Sequence, residues 1–323
     1  MLKTNSNLTL VNRIAAKRNC KRQSCRVYAS TLRRLNTLSS TPFNQDLKWL
    51  ENDAANILKK INKLGNVNKQ RNFVSSALVG FHLLGNEKLR DHWNQYLKEL
   101  NQKKAAQSDG SLSARQKKNW LDWKTIVSLR RLLNRRVRLG KLYEQDYSRK
   151  AFRTLQQNLV ISLYSFLPPV RNDYGDVRVV TEKQFQEADK KNANYLVTSK
   201  RTYKFYWAKY KTASAYGQVV IPVTQYSKPL QKLLVKHVRY LRKNFDTDSL
   251  LLNARNKPMT RNGLTKFLQS LFRQFLNKNV SSTLIRQSFL TNKFSRKQLE
   301  EREELGKAMM HSTKTQMTYV KNK

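Results

Sequence analysis

The chain has 323 residues, with 64 Lys and Arg against 21 Asp and Glu, a formal net charge of +43. Self-repulsion of that size opposes a compact state and is ill suited to an enzyme of small metabolites, whereas a polyanion, nucleic acid first among them, would screen it. An apolar fraction of 39% with 10% aromatics excludes a disordered basic tail. No apolar run approaches the roughly 18 residues of a membrane helix, so no membrane partner is expected.

Two domains are the natural expectation at this length, and nine Gly with six Pro favour helix over a loop-rich β architecture. Residues 1–40 hold nine Lys/Arg and no acid. Organellar transit peptides share that composition, but the charge elsewhere favours a basic DNA-contacting arm over residues 1–22. Cys20 and Cys25 have no second Cys pair and no nearby His, so structural zinc is not expected. They also exclude a disulfide scaffold, which fits a reducing compartment.

Residues 23–100 read as a helical bundle. Helical spacing of apolar residues runs over Cys25–Leu38, Asp46–Leu64, Asn68–Leu84 and Glu87–Leu100, and Gly65 and Gly85 fall at helix stops. The polar, basic segment 101–119, centred on Gln107-Ser108-Asp109-Gly110-Ser111, is the linker candidate. Residues 120–323 form the second domain. Helices are expected over Trp123–Leu139 and Tyr147–Leu167, the latter stopped by Pro168-Pro169. Extended segments follow at Val177–Val180, Tyr195–Thr198, Tyr203–Tyr210 and Gln218–Val223. Helices return over Lys228–Asn244, Arg261–Leu276, Ser282–Phe294 and Arg296–Met310. The fold class is therefore mostly α, with a small antiparallel β-sheet inserted in the second domain. Between Lys190 and Leu299 only Asp246 and Asp248 are acidic, so that region should present a positive surface.

Nucleotide-binding loops of the G-x-x-x-x-G-K-[ST] or G-x-G-x-x-G kind are absent. His82, His92, His237 and His311 are scattered without metal-ligand spacing, and the acid-poor region lacks the clustered carboxylates of a two-metal nuclease. No metal and no cofactor are expected. Phosphodiester chemistry without metal needs a nucleophile, cations for the non-bridging oxygens and a proton donor for the leaving 5′-oxygen. The C-terminal segment Met310-His311-Ser312-Thr313-Lys314-Thr315-Gln316-Met317-Thr318-Tyr319 holds the one Tyr after Tyr240. A tyrosine becomes a nucleophile when neighbouring cations offset the cost of forming phenolate.

Several segments, in order, resemble the tyrosine recombinase (phage-integrase-like) family, in the form found in viruses and mobile elements. Leu167-Pro168-Pro169-Val170-Arg171-Asn172-Asp173-Tyr174 is similar to its first-arginine box. Tyr210-Lys211-Thr212, before Tyr216-Gly217 and the strand that follows, resembles the hairpin bearing its lysine. Pro258-Met259-Thr260-Arg261-Asn262-Gly263-Leu264 is similar to the loop before its next helix. Thr283-Leu284-Ile285-Arg286-Gln287-Ser288-Phe289 resembles its second-arginine box, and His311-Ser312 with Tyr319 its terminal motif.

The resemblance implies a DNA breaking-rejoining fold, with a helical core-binding domain joined by a linker to a catalytic domain. It implies Tyr319 as nucleophile, giving a 3′-phosphotyrosyl link, and Arg171 and Arg286 as clamps on the non-bridging oxygens. Lys211 would protonate the leaving oxygen and His311 would assist at the phosphate. Asp173, Lys209 and Thr283 stand in supporting positions; Thr283 replaces the His or Lys usual in the family and cannot act as a general base. Lys200, Arg201, Arg261 and Lys266 are expected DNA contacts. The implied partner is double-stranded DNA, bound as a homotetramer on paired sites. The implied location is DNA-associated, in a host nucleus, a viral replication site or a virion, with an organelle as the alternative. Two rival readings are a type IB topoisomerase and a non-catalytic DNA-binding protein derived from a recombinase.

Overall fold

The computed structural model describes residues 3–106, 111–295, 297–298 and 301. The chain divides into two compact units, Met1–Ser111 and Leu112–Lys323.

Within the first unit the described elements are α1 (Lys3–Arg18), α2 (Arg22–Asn36), α3 (Lys48–Asn52), α4 (Ala54–Asn62), α5 (Val67–Leu84) and α6 (Glu87–Ala106). Its core gathers Leu10, Ile14, Leu32, Leu35, Trp49, Leu50, Ile57, Val74, Phe81 and Trp93. The expected arm over residues 1–22 is corrected: Leu10, Val11 and Ile14 give α1 an apolar stripe that is buried in this core. The expected single helix over 46–64 is broken at Asp53, whose carboxylate accepts from Ser39 Oγ at 2.8 Å and Ser40 N at 2.7 Å. Gln70 Nε2 donates to the Ile61, Asn62 and Leu64 carbonyls, satisfying the end of α4. Gly85, at φ 76°, ends α5 in the left-handed conformation that glycine adopts without strain. Cys20 and Cys25 depart from expectation. The tight α1–α2 connection brings their Cα atoms to 6.5 Å and they form a disulfide.

The segment expected as linker is helical over much of its length. α6 continues to Ala106, and α7 (Ala114–Asn119) opens with a capping box between Ser113 and Gln116.

In the second unit α8 (Trp123–Leu139) and α9 (Arg149–Phe166) pack as a hairpin. Then come a 3-10 turn (Asn172–Asp176), β1 (Val177–Thr181), α10 (Glu182–Gln186), β2 (Asn194–Thr198), β3 (Tyr203–Trp207), α11 (Ala213–Tyr216), β4 (Val219–Pro222), α12 (Val223–Tyr226), α13 (Lys228–Asn244), α14 (Arg261–Leu276) and α15 (Ser282–Lys293). Leu133, Leu159, Leu163, Tyr164, Phe205, Leu234, Leu264, Leu268, Phe272 and Ile285 form one core. The sheet order is β1-β2-β3-β4, and β2–β3 and β3–β4 are antiparallel. The expectation of an antiparallel sheet is corrected at its first pair. β1 and β2 run parallel, Val177 opposite Asn194, because α10 and its flanking turns carry the chain back to the start of the sheet. The free edge of β1 is covered by the extended segment at Asp248–Leu250, which exchanges backbone hydrogen bonds with Val177 and Val179. The unit is thus mostly helical with a small mixed sheet.

Candidate functional site

Helix α9 stops at Phe166 because Leu167 precedes Pro168 and is driven to extended geometry, φ −104° and ψ 156°. The chain then bends at Arg171 into the 3-10 turn. That bend is held from behind, where the Tyr164 hydroxyl donates to the Arg171 carbonyl at 2.7 Å. Tyr164 packs edge-on against Tyr174, and Tyr174 against Phe205 and Trp207, with ring centroids 5.3 to 5.5 Å apart. Burial pushes the Tyr164 phenol well up, and the charge of Arg286 opposes it. Arg286 stands on the second turn of α15, and its charge acts on the phenol whose hydroxyl bonds the Arg171 carbonyl. Both arginines are half-buried, and neither guanidinium makes a hydrogen bond or ion pair among the described residues.

Asp173 does not hold Arg171 by an ion pair. It pairs with Arg261 Nη2 at 3.2 Å, while Asp176 lies 3.4 Å from Arg261 Nε. Burial pushes the Asp173 carboxyl up, and the charges of Arg261 and then Arg171 oppose that. Arg261 Nη2 also donates to the Lys209 carbonyl. Arg261, expected as a DNA contact, has a structural role as well. Its guanidinium is occupied by two carboxylates and a backbone carbonyl, so it clamps the Arg171 turn, the start of α14 and the loop after β3. Gly175 completes the joint. A Cβ there would meet the Thr260 carbonyl at 2.8 Å and the Arg261 backbone at 2.9 Å. Asn172 Nδ2 adds a bond to Thr265 Oγ1 at 2.6 Å.

Strand β3 ends at Trp207, short of the expected Tyr210. Asn194 Oδ1 accepts from the Ala208 and Lys209 amides, at 3.1 and 2.9 Å, and its Nδ2 donates to the Lys209 carbonyl at 2.9 Å. Lys209 and Lys211 consequently sit in the connecting loop, not on one strand face, and both are exposed. The Lys209 backbone joins the Arg261 clamp, which anchors the loop that continues to Lys211. Lys200 and Arg201 are exposed at the β2–β3 turn, at the other end of β3. Lys266 is exposed on α14, about a turn and a half beyond Arg261, beside an apolar cavity of about 740 Å³. Thr283 is exposed on the first turn of α15. Tyr319 and His311 lie outside the described residues.

The structure thus ties the Arg171 turn, Asp173 and the Lys209 backbone to Tyr164 and Arg261, and the Arg286 charge acts on the same Tyr164. Lys200, Arg201, Lys266 and Thr283 are not part of that network. Two half-buried guanidiniums without carboxylate partners are suited to a phosphate oxyanion. Sequence reasoning missed Tyr164, Asp176 and Asn194. Asp176 carried a signal, standing three residues after Asp173 in a short turn, whereas the other two act through partners in distant segments. Among the described residues, no group of three or more His, Cys, Asp or Glu converges as a metal site. No family model, curated protein or solved structure matches the chain.

Proposed function

We propose that the chain is a tyrosine-type site-specific DNA recombinase or integrase of a virus or mobile element, cleaving and rejoining DNA through a 3′-phosphotyrosyl intermediate. The observation that supports this reading is the pair Arg171 and Arg286, distant in sequence and each without an ion pair among the described residues, the buried Tyr164 bonding the Arg171 carbonyl and feeling the Arg286 charge. Tyr319 attacks the scissile phosphate. Arg171 and Arg286 neutralise the charge that grows on its non-bridging oxygens, and their planar forks suit that geometry. Lys211, on a loop anchored at Lys209, supplies the proton to the leaving 5′-oxygen. His311 assists at the phosphate. Asp173 and Asp176 serve through Arg261, holding the Arg171 turn against α14. Duplex DNA is the partner, with paired sites bridged by a homotetramer.

Trapping on a nicked suicide substrate tests the reading. The full chain should form a covalent adduct, and Tyr319→Phe should form none. Relaxation of supercoiled plasmid without exchange between paired sites would instead assign a topoisomerase. Binding with no adduct from any substrate would assign a non-catalytic DNA-binding protein.

A further inference from the structure

Helix α13 carries Lys228, Lys232, Lys236, Arg239, Arg242 and Lys243 and no acid. The first three recur every fourth residue and form one stripe, about 12 Å long at the α-helical rise. The stripe lines a shallow cavity of about 400 Å³ whose other wall is the end of α8, bringing Arg138 and Lys141 opposite it. All five cations are exposed, and none makes an ion pair among the described residues. Glu144 is the one acid on the cavity wall. Like charges four residues apart on a helix repel, and a bound polyanion would relieve that repulsion.

Its position separates it from the Arg171 turn. Val137, just before Arg138, packs with Phe152 and Leu155 at the beginning of α9, whereas Arg171 follows the end of that helix. Eighteen residues of α9 span about 27 Å. None of the residues around Tyr164 and Arg261 lines the cavity.

We infer that Lys228, Lys232, Lys236, Arg138 and Lys141 form a second phosphate-binding track, which holds duplex DNA away from the Arg171 turn. Lysines supply four of the five charges. A lysine is a mobile point charge that follows a backbone, whereas a fixed carboxylate or single phosphate is better held by an arginine fork. A DNA strand presents a charge about every 3.4 Å along the axis, so the stripe spans three to four phosphates.

The test uses the full chain carrying Tyr319→Phe, so that its outcome does not depend on cleavage, and a long mixed-sequence duplex. Affinity is measured by fluorescence anisotropy across salt. Each lost phosphate contact lowers the slope of log affinity against log salt by about 0.9, so Lys228→Gln/Lys232→Gln/Lys236→Gln should lower it by roughly 2 to 3. The loss of affinity between 50 and 200 mM salt should then be roughly 40-fold smaller than for the parent. A charge-matched triple, Lys183→Gln/Lys191→Gln/Lys257→Gln, should leave the slope within about one contact of the parent. Lys232→Gln alone should lower it by about 0.9, which keeps the test open if the triple variant melts early. An unchanged slope in the α13 variants, or an equal loss in the matched triple, would overturn the assignment.

Discussion

The two ends of α9 show two uses of positive charge. Beyond its C-terminal end, cations meet acids: Arg261 is fastened by Asp173 and Asp176, and Asp173 is only 9% exposed. Beside its N-terminal end, the stripe on α13 meets the end of α8 with one acid, Glu144, on the cavity wall. An arginine given carboxylates becomes scaffold, whereas Arg171 and Arg286 make no ion pair among the described residues. Lysines left without carboxylates remain available to a polyanion. A net charge of +43 does not distinguish these roles; the placement of a few acids does.

The largest expected effect breaks the acid-bearing end. Gly175→Ala places a Cβ against the backbone of Thr260 and Arg261, which cannot rotate away. Chemical denaturation should show a loss of about 3 kcal/mol, and a neutral result would mean the joint is looser than described.

A comparable effect tests what lies behind the lysine end. His237 is buried, with Phe152 stacked at 6.3 Å and the Tyr143 hydroxyl 3.3 Å from Nδ1. Burial pulls its pKa down to about 4, opposed by the Leu250 backbone. Its folded pKa is below the unfolded value, so the unfolded chain binds the extra proton. The stability concerned is present above about pH 6.5 and lost as pH falls toward 4, a total of about 3 kcal/mol. His237→Leu should remove that part of the pH dependence in unfolding titrations, and an unaltered profile would refute the assignment.

Arg261→Met comes next. It leaves Asp173 buried without its partner, at a cost of about 2 kcal/mol. The same variant should weaken DNA cleavage in single-turnover assays more than it weakens DNA binding, because it loosens the Arg171 turn and the Lys209 loop together. An equal loss of both would make Arg261 a DNA contact after all. The smallest effect has the opposite sign. Lys232→Gln relieves repulsion from Lys228 and Lys236 and should stabilise the chain by about 0.3 kcal/mol at low salt. The gain should vanish at high salt.

Much of the helical scaffold was legible in the sequence. The bounds of α8, α13 and α14 follow from apolar spacing together with local stops and starts. Ser227 caps α13 ahead of Pro229, Thr260 caps α14, and Asn277 closes it at φ 49°. Strand direction was not legible, because alternation marks a strand without saying which way its neighbour runs. Helix α1 was hidden by its basic residues, since three buried apolar positions suffice to dock it. At the candidate site, Arg171 and Arg286 stood out in the sequence through the resemblance of their segments to a known pattern. The clamp role of Arg261 was not legible, because it depends on carboxylates that the fold brings from another segment.

The proposed link between Tyr319 and DNA is open to direct chemical identification. Mass spectrometry of the nuclease-trimmed adduct from a suicide substrate tests it most directly. Nucleotides should be attached through a 3′-phosphate to the peptide containing Tyr319, and none in chains carrying Arg171→Ala or Arg286→Ala. Nucleotides on any other residue, or an adduct that survives Tyr319→Phe, would contradict it.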